Sequence, residues 1–539
     1  MPSPASLFFF FFLLLCFLPS SISAQDNEAN AFEESLLHQA CFNTTAHEAC
    51  LLRIRGSPTG RLSRPISILQ SAVRGAIDEA VRAAGTASDL ADASASLREE
   101  TALRDCSELL GFTADELDWS LAEIGRLVFT SRAASSEANL RAWLSAALGN
   151  QDTCLDGFDG TDGRARRRIE RRIAELTQLV ANLLAMYKRM RSIIPHASPP
   201  RNNTKRVPAP FPPPSWVAAE SEDLMRASLK SLRVDAVVAS DGSGRYRSVS
   251  EAVNAAPSYS ARRHVIYVKK GVYVENVEVK KKKRNIMMVG DGIGATVITG
   301  NRNFMQGWTT FRTATFAVSG PGFIARDITF RNTAGPENHQ AVALRVDSDR
   351  SAFFRCSIEG HQDTLYAHSL RQFYRDCHIF GTIDFIFGNG LAVLQRCHIH
   401  TRRPLPEQKP TITAQGRKDP NQNTGFSLHG CFVHANYPTY LGRPWKAFSR
   451  TLVMQSYLGA QVQAAGWLEW AGDFGLSTLW YGEYGNYGPG ARLSGRVGWP
   501  GYHVIHDAAV AGFFTVRRFI DGLTWLPRTG VQFTADLYK

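Results

Sequence analysis

From Phe353 to Ile399 one pattern returns at a fixed interval: apolar residues, an arginine, a cysteine, one further residue and an isoleucine. It reads AFFRCSI around Cys356, QFYRDCHI around Cys377 and VLQRCHI around Cys397, so the cysteines stand 21 and 20 residues apart. Short strand-like runs broken by Gly or Asn turns and repeated about every 20 residues are the mark of a β-solenoid, each repeat being one coil. This part of the chain is therefore expected to wind as a parallel β-helix. Equivalent positions on successive coils then stack about 4.8 Å apart.

Three short motifs lie within or beside these coils: HQAVALR at 339–345, HQDTLY at 361–366 and GTIDFIFGN at 381–389. Their acidic residues, Asp363 and Asp384, are 21 residues apart, which is the coil length given independently by the cysteines. The two carboxylates should stand side by side on neighbouring coils. Like charges at that range do not both ionise easily, so one pKa should rise and the other stay low. One residue type then supplies both a proton donor and a nucleophile. Gln362, and Gln340 about one coil earlier, would bring amide N–H groups suited to a developing oxyanion to the same patch. Taken singly, an Asp in a solenoid caps a turn or faces solvent. Two Asp and two Gln in register with the coil make a catalytic patch the better reading.

HQAVALR, QDTLY, GTIDFIFG and, further on, LGRPWK at 441–446 resemble the signature segments of plant pectin methylesterases in residues, order and spacing. The resemblance spans nearly all of residues 233–535 and implies a right-handed parallel β-helix that hydrolyses galacturonate methyl esters. It implies Asp384 as the nucleophile on the ester carbonyl and Asp363 as donor to the leaving methanol and then activator of water. It further implies Gln362 and Gln340 as holders of the oxyanion, Arg443 as the residue orienting Asp384, and Trp445 and Thr310 as sugar contacts. Around Thr310 the chain departs from the family, with Gln306 and Trp308 where acidic and small residues are usual, and His361 replaces a Tyr.

With 539 residues the chain is long enough for two or three domains. A formal net charge of +12 points to an acidic partner, whether nucleic acid, a membrane surface or an anionic polysaccharide. No nucleic-acid module is visible, and LFFFFFLLLCFL at 7–18, too short to span a bilayer and followed by Ile22-Ser23-Ala24, reads as an export leader cleaved after residue 24. A secreted monomer acting on a polyuronate in the cell wall fits these facts.

Residues 25–190 are patterned as helices. Pro65 opens one whose face is expected to hold Ile66, Leu69, Val73, Ile77 and Val81; Ile169, Ile173, Leu176, Val180, Leu183 and Tyr187 line another. Short polar joints between them predict an all-α up-and-down bundle. The segment resembles the invertase and pectin methylesterase inhibitor domain that precedes many of the plant enzymes, which implies that it inhibits or chaperones the enzyme before release. In an exported chain its four cysteines read as disulfides, and the resemblance implies the pairs Cys41–Cys50 and Cys106–Cys154. Asn43 and Asn202 stand in glycosylation sequons. Residues 191–232 are a Pro-rich, extended linker before the catalytic region 233–539. Where many relatives carry a basic cleavage motif this chain has AESEDLM at 219–225, leaving Lys205-Arg206 as a substitute.

Other chemistries are set aside. No GxSxG elbow of the serine esterases occurs, and GDGIGA at 290–295 lacks the long helix a dinucleotide site needs. Cys377, His378, Cys397, His398 and His400 suggest zinc, but alternation along a strand puts Cys and His on opposite faces, so neither metal nor cofactor is expected. Cys377 and Cys397 are close enough for a disulfide, and the resemblance favours that pair over Cys356–Cys377. Lys280 to Arg284 reads as a solvated turn, with polyuronate contact as the alternative. Trp467 and Trp470 in AGWLEW are expected in the cleft or in the core.

Overall fold

A computed structural model describes residues 20–44, 47–55, 64–94, 96–127, 133–193 and 233–539. Most of the expected leader (1–19) and nearly all of the linker (194–232), including Asn202 and Lys205-Arg206, lie outside the described residues.

From residue 236 the chain winds into three parallel sheets of eleven, eight and seven strands among the described residues. One coil contributes Arg371–Arg375, His378–Gly381 and Ile386–Gly388, one strand to each sheet. Phe353 pairs with Tyr374 and Tyr374 with Leu394, the 21- and 20-residue steps of the sequence pattern. The next coil is longer, pairing Leu394 with Leu428, because the chain makes excursions on either side of the strand Thr411–Gln415.

The repeat arises at one corner of the coil. Asp327, Arg355, Asp376, Arg396, Gly430 and Gln455 all have φ between 48° and 62°, each just before the next buried position. The left-handed conformation costs a non-glycine residue on the order of 1 kcal/mol or more. Hydrogen bonds between coils offset it: the Arg355 N–H donates to the Arg375 carbonyl at 3.0 Å and the Arg396 N–H to that of His429 at 3.1 Å. Outside the corner, Arg355 pairs with Asp327 and Arg396 with Asp376. Inside it, Cys356, Cys377, Cys397 and Cys431 line up as buried free thiols.

The expected Cys377–Cys397 disulfide is therefore corrected. A disulfide needs Cβ atoms about 3.8 Å apart and turned toward each other. Side chains in register on parallel coils keep the coil spacing of about 4.8 Å and point the same way. The bonds Cys41–Cys50 and Cys106–Cys154 are formed.

The N-terminal part is helical. Arg64–Asp92, Leu97–Leu127, Ala133–Asp156 and Arg164–Ile193 pack as an antiparallel bundle, preceded by Ser20–Ala40 and His47–Arg55. All six positions predicted for the last helix, Ile169 to Tyr187, are buried. On Arg64–Asp92 the face is instead an alanine stripe, with Ala72, Ala76, Ala80, Ala83 and Ala87 buried beside Leu69 and Val73, while Val81 is 57% exposed. Small side chains let the helices approach closely, and Val81 falls outside that narrow stripe. Among the described residues no helix is long and apolar enough to cross a membrane.

Candidate active site

Asp363 and Asp384 stand at the corner leading into the seven-stranded sheet, each two residues before the register partners Leu365 and Ile386. Both are left-handed, with φ of 61° and 50°. Asp adopts this conformation more readily than most residues, and each is held by a bond to the next coil. The Asp363 N–H donates to the Ile383 carbonyl at 3.1 Å, and the Asp384 N–H to Thr411 Oγ1 at 3.0 Å. The carboxyl groups are thus set one coil apart, 7% and 5% exposed.

Their surroundings differ. Arg443 grips Asp384 in a fork, donating from Nε to Oδ1 at 2.9 Å and from Nη2 to Oδ2 at 2.6 Å, and Thr411 Oγ1 donates to Oδ1 at 2.7 Å. Asp363 receives no such fork. Burial pushes its carboxyl well above the usual range, the neighbouring Asp384 pushes it further, and Arg443 opposes only in part. The pair therefore presents a carboxylate held by an arginine beside a carboxyl whose burial and charged neighbour favour its protonated form.

Arg443 is carried by the strand Tyr440–Pro444, where Ala414 pairs with Arg443 and Phe387 with Ala414. Gly442 lets that strand close onto its neighbour, since a Cβ there would lie 2.0 Å from Thr413 Oγ1. Trp470 packs on the Arg443 guanidinium at 4.4 Å. The cavity over the two aspartates, about 300 Å³, is lined by Gln340, Gln362, Thr310, Phe311, Trp445 and Trp470, with Tyr366 and Phe387 as its floor. The floor rings stack at 4.1 Å. Both glutamines, Thr310, Arg443 and Trp445 thus meet at one site, while Trp467 is buried in the core. Thr411 and the Tyr366–Phe387 floor escaped the sequence reading; an ordinary threonine 27 residues beyond Asp384 carries no signal of its own.

The helical bundle forms the opposite wall of the cavity through Thr153, Asp156, Gly157 and Asp159. Acidic residues of the bundle meet cations of the β-helix around this rim. Arg312 contacts Asp105 at 2.5 Å and also Glu108; Lys446 reaches Asp156 at 2.9 Å; Lys418 pairs with Asp152. Trp143 Nε1 donates to Asp349 at 2.9 Å and Thr153 bonds His368 at 2.9 Å. Lys281, in the run expected to be a solvated turn, is nearly buried instead: it pairs with Glu116 at 3.2 Å and lies over Phe112 and Trp119. Lys283 is buried too, donating to the Asn254 and Ala256 carbonyls. The turn is present and Lys280 and Lys282 are solvent-exposed as expected, but at Lys281 and Lys283 the bundle and the neighbouring loop take the place of solvent.

Comparison with known proteins bears on this geometry. Residues 235–523 match the Pectinesterase family model, and residues 35–186 match that of the plant invertase/pectin methylesterase inhibitor. An Arabidopsis thaliana protein of the pectinesterase/pectinesterase inhibitor type is 56% identical over 515 residues, 93% of each chain. Pectinesterase/pectinesterase inhibitor PPE8B of Prunus persica is 52% identical, covering 85% of this chain and 87% of its own length. Among solved structures, the pectin methylesterase from carrot superposes with a TM-score of 0.56 at 54% identity, over 57% of this chain and 99% of that one.

Proposed function

The chain belongs to the pectinesterase family, with an inhibitor-type helical domain ahead of its right-handed β-helix, and from that premise we propose how its residues divide the work. The substrate is the methyl ester of polygalacturonate. Asp384, aimed by Arg443 and Thr411, attacks the ester carbonyl carbon. The oxygen that becomes an oxyanion is held by the side-chain amides of Gln340 and Gln362. As the tetrahedral intermediate collapses, Asp363 gives its proton to the departing methoxide, so methanol leaves and an acyl-enzyme remains on Asp384. Asp363, now a carboxylate, takes a proton from water. The resulting hydroxide attacks the acyl carbon, the bond from that carbon to the Asp384 oxygen breaks to return the Asp384 carboxylate, and the galacturonic acid set free gives its proton to solvent.

The observation that carries this reading is the asymmetry of the pair: a fork of hydrogen bonds on Asp384, and burial beside a neighbouring charge on Asp363. Trp445 and Thr310 are the sugar contacts. Release of methanol and new carboxyl groups in equal amounts, with no fall in polymer length, is the expected outcome on methylated pectin. Shortening of the polymer without methanol would mean a lyase or a glycoside hydrolase instead.

The inhibitory role follows from where the bundle sits. Asp156 and Thr153 line the cavity over the two aspartates, so the bundle takes up room that a polymer seated there would need. The intact chain is then a closed precursor, and a form starting near Val234 should release methanol faster than the full chain. Equal rates would show that the bundle does not block the cleft. We further infer export through the apolar leader, with residues 1–24 removed and glycans at Asn43 and Asn202, and action as a monomer in the wall.

A further inference from the structure

On the eight-stranded sheet, away from the cleft, four imidazoles share one outward face. His378 pairs with His398 and His398 with Phe432; one step along, Phe380 pairs with His400 and His400 with His434. Two columns of rings result. Within them the rings lie parallel, 4.8 Å apart for His378 and His398 and 4.6 Å for His400 and His434. Phe380 closes one column 4.4 Å from His400, and Phe432 closes the other 4.9 Å from His398. Between the columns nitrogen faces nitrogen: His398 Nδ1 to His434 Nε2 at 3.0 Å, and His378 Nδ1 to His400 Nε2 at 3.3 Å.

The strand alternation used to set aside a mixed Cys/His site holds, with the cysteines inside and the histidines outside. It does not separate the histidines from one another, because His398 and His400 are two apart and their neighbours stack in register. A nitrogen–nitrogen contact of this kind is bridged by one proton, and a metal ion can take that proton's place. Ring nitrogens of His398, His400 and His434 all lie within 4.8 Å of one another. A tetrahedral ion bound at about 2.0–2.1 Å asks for nitrogens roughly 3.3 Å apart, which a small turn of the rings supplies. Glu359, on the adjacent strand, is already paired with Arg331 and Arg402. The donors are thus neutral imidazoles, which suit zinc, nickel or copper and not calcium or magnesium.

We propose that His398, His400 and His434 form a binding site for a divalent transition-metal ion, with His378 as the outer residue that orients His400. The rings are only half-buried, so a fourth ligand position faces solvent. The ion would tie the strand His398–Thr401 to Phe432–His434, the two ends of the longest coil in this region. No step of the ester hydrolysis uses it.

The test is calorimetric titration of the full chain with zinc chloride in a non-chelating buffer. Saturable binding of one equivalent is expected, accompanied by a rise in unfolding temperature. His398→Gln and His434→Gln should each weaken it by about 100-fold or more, and His378→Gln by about tenfold, as for an outer partner. Magnesium chloride should neither bind there nor displace zinc. His434→Phe serves as a second variant, because a phenyl ring fits the column as Phe380 and Phe432 do while removing the ligand. Absence of one-to-one binding, or affinity unchanged in folded His398→Gln and His434→Phe chains, overturns the proposal.

Discussion

In the cleft, Asp384 meets a guanidinium of its own β-helix, and Arg443 acts on Asp363 only at longer range. Across the rim, Asp105, Glu116 and Asp152 of the bundle meet Arg312, Lys281 and Lys418 of the other domain. Both regions bury carboxylates beside cations, and the consequences are opposite. Where donor and acceptor belong to one rigid solenoid, the pairing fixes a geometry and leaves its neighbour free to hold a proton. Where they belong to two domains, the same pairing clamps one domain to the other. On the proposed mechanism, what separates the catalytic carboxylate from a docking one is which element holds its partner, not how deeply it is buried.

The largest effect should come from the cleft. Asp384→Asn keeps the shape and the Thr411 contact but removes the nucleophilic oxygen, and methanol release should fall on the order of 10³-fold or more. Asp363→Asn, which removes a proton donor and acceptor, should cost about 10²- to 10⁴-fold. Activity retained by Asp384→Asn would remove the distinction between the two regions at its root.

Next is the clamp. Arg312→Ala leaves Asp105, 1% exposed, without its cation. Stranding a buried charge in this way costs about 3–5 kcal/mol, which should loosen the bundle and raise the activity of the intact chain toward that of the form lacking it. The same substitution in the shorter form is the control, since Arg312 stands two residues from Thr310. If both forms change alike, Arg312 belongs to the cleft and not to the clamp.

The clamp should also respond to pH. Burial, against the pull of Lys281, pushes Glu116 up to about 7, and burial likewise raises Asp105 and Asp152. A carboxyl with a folded pKa above its unfolded value binds its proton more tightly in the folded state. Its contribution is therefore complete below the ordinary carboxylate range and is lost as pH rises through about 7, roughly 3 kcal/mol for Glu116 alone. The unfolding temperature of the helical part, followed by circular dichroism, should fall between about pH 5 and pH 8. A rise over that interval would show that the cations, not burial, set these groups.

Much of this was legible before the structure. The coil length follows from stacking, and stacking needs only the chain's own period, so the cysteine pattern located Asp363 beside Asp384 correctly. Arg443 and Trp445 were legible through a motif whose glycine is required by contact with Thr413. What stayed hidden depends on a second body arriving. Lys281 looks like a solvated charge until Phe112, Trp119 and Glu116 cover it, and Trp467 and Trp470, three residues apart, divide between core and cleft. The histidine columns are hidden in the sequence because alternation along one strand separates cysteine from histidine, whereas the meeting of the histidines needs the register of successive coils.

The smallest effect concerns how the two regions are fastened. The bundle joins Cys106 to Cys154 across 48 residues, linking two helices that are otherwise held by side-chain packing and a few side-chain hydrogen bonds. Closing such a span restricts the unfolded chain strongly. Neighbouring coils of the β-helix are already joined by backbone bonds, such as His398 N–H to the Cys377 carbonyl at 2.8 Å, so a cross-link between Cys377 and Cys397 would restrict little more. The thiols there act as small apolar fillers. Alkylation of the denatured, unreduced chain should therefore label Cys356, Cys377, Cys397 and Cys431, and leave Cys41, Cys50, Cys106 and Cys154 unlabelled. Cys377→Ala should lower stability by only about 1 kcal/mol, the cost of a small core vacancy, with methanol release unchanged. Protection of Cys377 and Cys397 from label would restore the disulfide between the coils, and with it a β-helix fastened in the same way as the bundle.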